Sequence, residues 1–298
     1  MKWTNAVAIL CVIITVTATA QDNGSARFPS QFSITGSAEV FPISSLYLSG
    51  GTDLFSDRAD AFRGQARLAL LGVLELGVMK EEAAVNFLGG AERVPMGEFK
   101  VRVLEQTEHT PAISIAYRMS LEWLSRGYEN QDLAAVRPAA VSEGLHAVRY
   151  QYRLTSAMVL VSQTVIPQLE LTTGIGLQEA QTRFLWLGGP GWPYSNGTYD
   201  PQTHSRLILT GFLLGRFDVS RQVTVFAEAE SVPVFVPSYQ HHSVQPERTY
   251  FGTAGVRFVP LMPFALDVMI AHQTAFQGIA DTQVRIALNT YLNFEAAP

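Results

Sequence analysis

From Asp281 to Phe294 the chain alternates strictly between two chemistries. Val284, Ile286, Leu288, Leu292 and Phe294 share one parity; Arg285, Asn289, Tyr291 and Asn293 share the other. A period of two predicts an extended strand, because successive side chains leave opposite faces of a pleated sheet. The same rule recurs upstream, with charge kept off the apolar set. Phe62, Leu68 and Leu70 oppose Arg63, Gln65 and Arg67; Leu74, Leu76 and Val78 oppose Glu75. Phe99, Val101 and Val103 oppose Glu98, Lys100 and Arg102, and Ile113, Ile115 and Tyr117 oppose Arg118. Val148, Tyr150, Tyr152 and Leu154 oppose Arg149 and Arg153; Leu169, Leu171 and Ile175 oppose Glu170. Val223, Val225 and Ala227 oppose Glu228 and Glu230, Val256 and Phe258 oppose Arg257, and Leu266, Val268 and Ile270 oppose Asp267.

The links between these runs alternate in length. Long ones cover 51–61, 81–97, 122–143, 179–203, 232–248 and 274–280; short ones lie at Gly72, 106–110, 166–168, 218–220 and 260–263. Long links on one side and short turns on the other predict an all-β fold, a single antiparallel transmembrane β-barrel of about twelve strands, with ten to fourteen as the range. A sheet satisfies its backbone inside a bilayer only by closing. A soluble secreted β-sandwich binding module is the alternative, since it alternates too. Leu145–Val165 exceeds an ordinary membrane strand, which predicts a bulge or an extension beyond the bilayer. Lys80–Ala84 and Leu121–Arg137 have a helical flavour. Tyr250 and Phe251 at one end of the strands, and Phe258, Phe264 and Phe294 at the other, fit aromatic girdles.

Composition adds location. Lys2, an apolar run from Ala6 to Val16 and the small residues Ala18-Thr19-Ala20 predict a signal peptide over 1–20, cleaved after Ala20. Residues 21–43 form an N-terminal extended segment, lumenal or an extra strand, and 44–298 the outer-membrane β-barrel. The one cysteine, Cys11, lies in the signal segment, so thiolate metal sites are excluded from the mature chain. A net charge of −5 argues against nucleic acid as a partner. Outer-membrane lipid and the barrel-assembly machinery are the expected partners, with a polysaccharide or small polar solute as cargo.

Two groups carry candidate chemistry. His241, His242 and Ser243, followed by Glu247, would suit an acyl-transfer site, which gives an outer-membrane lipid esterase as a second alternative. The cluster lies in an expected loop between Pro237 and Pro246, and the expectation is no enzyme, no metal and no cofactor. The larger group is the lumen set assigned by strand parity: Arg63, Arg67, Glu75, Glu98, Lys100, Arg102, Arg118, Arg149, Arg153, Glu170, Glu228, Glu230, Arg257, Asp267 and Arg285. It suits either a polar pore or an interior packed with paired charges, because pairing offsets the cost of burying ions. Arginine predominates, as bidentate pairing across strands requires.

Several pieces run in order along the chain: Ala38-Glu-Val-Phe-Pro42, Val73-Leu-Glu-Leu-Gly-Val78, Gly97-Glu-Phe-Lys-Val-Arg-Val103, Pro167-Gln-Leu-Glu-Leu-Thr-Thr-Gly174 and Val225-Phe-Ala-Glu228. In these the chain resembles a family of bacterial outer-membrane β-barrels, some associated with exopolysaccharide production. The resemblance implies an outer-membrane barrel and no catalytic residue. The expected role is a channel or surface scaffold for a polar solute or polysaccharide, without covalent chemistry.

Overall fold

The computed structural model describes residues 37–41, 44–54, 62–82, 93–121, 124–129, 145–188, 203–238, 243–276 and 279–294. Their strands are β1 (Ser45–Leu54), β2 (Phe62–Leu70), β3 (Leu74–Glu82), β4 (Arg93–Leu104), β5 (Ala112–Ser120), β6 (Leu124–Glu129) and β7 (Leu145–Ile166). There follow β8 (Leu169–Gly188), β9 (His204–Asp218), β10 (Val223–Ser238), β11 (Ser243–Leu261), β12 (Phe264–Phe276) and β13 (Ile279–Asn293). Apart from β5 and β6, chain neighbours pair antiparallel, and β1 pairs with β13 from Ser45↔Asn293 to Leu54↔Val284. β5 and β6 both lie against β7, at Ala112↔Ser162 to Met119↔Thr155 and then Leu124↔Tyr152 to Glu129↔Ala147. They are one interrupted stave, so thirteen segments make a closed barrel of twelve. Closure removes the sandwich alternative, which would leave two separate sheets.

Alternation places side chains as a barrel requires. On the outer face, Leu76, Val78, Ile115, Val159, Ile175, Leu213, Val225, Val268 and Ile270 are exposed. On the inner face, Tyr47, Arg67, Glu75, Lys100, Leu160, Phe226 and Arg257 are buried. Apolar groups outside and charges inside reverse the order of a water-soluble domain, as membrane barrels do.

Several sequence expectations need correction. The link 232–248 is mostly strand: β10 runs to Ser238 and pairs Pro237↔Val244 and Pro233↔Arg248 with β11. On its other edge β10 leaves β9 after Ser231, so its tip and that of β11 form a two-stranded ribbon, where proline is tolerated. Likewise β8 reaches Gly188 and β1 reaches Leu54, which shortens the links read as 179–203 and 51–61. Residues 124–129 and Lys80–Glu82 are strand, not helical, because neighbouring strands supply their ladder partners. β7 runs 22 residues with register shifts only near its ends. Phe251 does not join a girdle. Adjacent strand residues must face opposite ways, so Tyr250 is exposed while Phe251 faces the lumen below Arg285.

Candidate functional site

The lumen has two unlike walls. One belongs to β2–β5, where parity turns Arg67, Glu75, Glu98, Lys100 and Arg118 inward. Glu98 accepts from both Arg67 and Arg118. Glu75 sits 2.9 Å from Lys100 Nζ and 3.7 Å from Arg67. Two carboxylates thus hold three cations, every one essentially out of water. Removing such ions from solvent costs several kcal/mol apiece, about what close mutual attraction and hydrogen bonding return.

The opposite wall, β7–β10, carries an apolar cluster beside the Glu170–Arg216 pair. Met158 and Leu160 meet Phe212, Leu214 and Phe226, and this cluster reaches Ala112 and Ala116 on β5. Phe212 fits because Gly174, across from it, has no side chain. A β-carbon there would lie 2.1 Å from the ring.

Residues 37–41 lie between these walls. They form no strand; their backbone is held by side chains of the barrel instead. Ala38 N–H donates to Ser162 Oγ at 2.7 Å, and Phe41 N–H to Glu75 Oε1 at 2.8 Å. Ser114 donates to the Ala38 carbonyl, while Lys100 Nζ donates to the carbonyls of Ser37 and Glu39 at 3.2 and 2.8 Å. Ala38 packs in the apolar cluster, and Phe41 rests against Tyr47 and Tyr291 at ring distances of 5.6 and 5.8 Å. The segment therefore spans the lumen from the apolar wall to the charged one. Its anchors (Glu75, Ser114, Ser162, Glu170) lie near the strand ends that meet the short turns. Burial among the surrounding walls and the Glu170 carboxylate push the Glu39 pKa up, against the pull of Arg216, Arg102 and Lys100.

Beyond the segment, toward the long links, is a cavity of about 90 Å³ lined by Asp53, Gln65, Glu228, Glu230, Phe251 and Arg285. Arg285 donates to Asp53 at 2.7 Å and lies 5.0 Å from the centre of the Phe251 ring. Elsewhere inside, Arg257 grips Asp267 through two bonds of 2.6 Å, and Tyr47 donates to Asn289 at 2.7 Å.

The parity-assigned residues divide accordingly. Arg67, Glu75, Glu98, Lys100 and Arg118 form one network; Arg257–Asp267 is a separate pair; Glu228, Glu230 and Arg285 line the cavity. Glu170 meets Arg216 at 3.5 Å and accepts from Ser37, and Arg102 lies near the turn, 3.7 Å from Glu105. The side chains of Arg63 and Arg149 lie outside the described residues. Arg153 is a correction: Tyr152 and Leu154 are the buried residues there, so Arg153 faces outward opposite Gln181. At this height of β7 and β8 the outer parity carries Gln151, Arg153 and Gln181, and the inner face is packed. Asp53 and Arg216 were missed although the same parity rule reaches both. Gly50-Gly51 reads as a break before Asp53, and Arg216 sits in a run dominated by leucine and phenylalanine. Ser243 begins β11 opposite Ser238, in a strand instead of the expected loop; His241 and His242 lie outside the described residues. No group of metal-ligating residues occurs among the described ones.

No protein-family model matches the chain, and no curated protein matches it. Solved structures similar to it include the NanC porin (7% identity, TM-score 0.45, covering 83% of this chain and 100% of that one). Others are the CymD monoaromatic hydrocarbon channel (9%, 0.43, 86% and 90%) and the KdgM porin in complex with disordered oligogalacturonate (6%, 0.41, 84% and 99%). At these TM-scores the likenesses carry no argument about function.

Proposed function

We propose that this chain is an outer-membrane channel whose lumen is closed by its own residues 37–41 and opens when they leave. The observation that supports it most is how those residues are held. Seven hydrogen bonds to side chains of the barrel fix them, with no strand pairing. Each such bond contributes only about 0.5–1.5 kcal/mol net, and wetting of the vacated lumen would replace several of them. The exposed apolar exterior supports insertion into outer-membrane lipid. Export through the signal at 1–20 and closure by the assembly machinery belong to the same proposal. The dimensions of the cavity favour a small polar solute over a polymer.

The test uses a reversible lock. Ala38→Cys with Ser114→Cys places two thiols on residues that a side-chain-to-backbone hydrogen bond already joins, and the sequence holds one other cysteine, Cys11. In planar bilayers the reduced variant should show discrete openings and the oxidised variant none, with recovery on reduction. Equal conductance in both redox states, or none in either, would reject the gate.

A further inference from the structure

The ladder between β9 and β10 stops early. It runs from Asp218↔Thr224 to Gly211↔Ser231, eight residues on each strand, whereas a barrel strand needs about 9–11 to cross a bilayer. On the far side of β10's partner, β12 holds β11 over a full crossing, from Phe264 to Gln273. Toward the long links, β9 continues past Gly211 to His204 on β8 alone, and β10 continues past Ser231 to Ser238 on β11 alone. Leu209 and Leu207, exposed on the outer face of β9, flank this seam, so its foot lies at bilayer depth.

The register also fixes which backbone groups face the seam, because successive residues of a strand offer their ladder groups to opposite neighbours. The Ser231 carbonyl points to β9, where the Thr210 hydroxyl donates to it at 2.7 Å. Pro233 and Pro237 share that parity, so the edge facing β9 lacks two N–H donors while the ladder with β11 loses none. On β9 the Ser205 carbonyl belongs to the facing edge, and the Arg206 guanidinium donates to it at 3.1 Å. Proline on an edge keeps two strands from zipping together. Backbone without ladder partners is tolerated at membrane depth only where it lines water or protein, so the seam continues the wet lumen. Its foot meets the cavity: Glu230, one residue below Ser231, and its ladder partner Phe251 both line it.

We propose that this seam is a side port between lumen and bilayer, and that the solute is a single-chain amphiphile. Its small, hydrogen-bond-donating head enters the cavity beside the Asp53, Glu228 and Glu230 carboxylates, and its tail stays outside along Leu207 and Leu209. A cavity of about 90 Å³ takes a head of a few atoms and leaves no room for the chain as well. The port rests on the proposed function only in placing the barrel in a membrane. Seam and cavity lie on the same side of residues 37–41, so lateral entry and gated conductance can fail separately.

Photolabelling of the full barrel in proteoliposomes tests it, with dodecanol carrying a diazirine beside its hydroxyl as the probe. Peptide mass spectrometry should find adducts at Phe251 and Met269 in the wild type, inside the cavity. Leu209→Cys with Pro233→Cys occupies the next outward-facing pair that a continued ladder would make. Oxidation of that pair should lower the cavity adducts several-fold, with recovery on reduction, and leave adducts on the outer belt unchanged. Pro233→Thr with Pro237→Thr restores the edge donors without a cross-link and should lower the cavity adducts likewise. A slower-migrating boiled form on gels confirms that each variant has folded. Wild-type adducts confined to the outer face, or cavity adducts that neither variant lowers, would overturn the port.

Discussion

The two walls of the lumen are packed by opposite means. On β2–β5, three cations and two carboxylates are stable only as a set, since removing one partner strands the others in a dry interior. On β7–β10, Met158, Leu160, Phe212, Leu214 and Phe226 are stable through shape, and each contact is local. The charged wall should therefore be sensitive to which groups are present, and the apolar wall to how much volume they fill. Residues 37–41 sit where the two regimes meet, which suits a part that must both fit and let go.

The largest effect should come from Glu98→Leu. It leaves Arg67 and Arg118 without the carboxylate they share, at a cost of about 3–5 kcal/mol in urea unfolding of the detergent-solubilised barrel. A cost near that of an ordinary surface change would erase the difference between the walls. Next is Gly174→Ala, whose methyl collides with the Phe212 ring. Overpacking of this kind costs about 1–3 kcal/mol, and Phe212→Leu added to it should restore most of the loss. Failure of that rescue would mean the clash is with the backbone rather than with the ring. Ser162→Ala removes the acceptor for Ala38 N–H, together with the hydroxyl's contacts to Ser37 and to Thr172 on the neighbouring strand. Openings should become several-fold more frequent while global stability falls by only about 1 kcal/mol, the worth of one buried bond. Identical gating would show that the segment is held by packing alone.

The smallest effect concerns pH. Glu39 has its pKa raised in the seated state, by burial first and by Glu170 second. An acid so shifted favours seating while protonated and disfavours it once ionised. Openings should therefore become more frequent as pH rises through the Glu39 titration, and Glu39→Gln should flatten the profile. A profile that runs the other way would place the controlling group elsewhere.

Alternation made the strands and the closed sheet legible, because a period of two survives every local irregularity. It also singled out Arg67, Glu98, Arg118, Arg257, Asp267 and Arg285. What it could not supply is the sign of a face. At Tyr152 and Leu154 the apolar parity points inward, and the alternation therefore turns Arg153 outward. The strand tips at Pro233, Pro237 and Pro246 were unreadable for a different reason: proline argues against a ladder except on a ribbon with a free edge, and the edge is a tertiary fact. Residues 37–41 have no periodicity at all, and their place depends on Ser114 and Ser162, which are far away in the chain and unremarkable in isolation.

The unequal height of the staves has a consequence for encounter. β7 and β8 run 22 and 20 residues, whereas β2 and β3 run nine each. At about 3.3 Å per residue this is roughly 70 Å against 30 Å of strand. Among the described strands, one flank of the wall is a parapet. For the channel proposed above, a molecule drifting along the membrane surface from that flank would be deflected, while one arriving over the shorter strands would come directly to Asp53 and Arg285. Entry would then have a compass direction, and how neighbouring copies are turned in the membrane would set how fast a population of them fills.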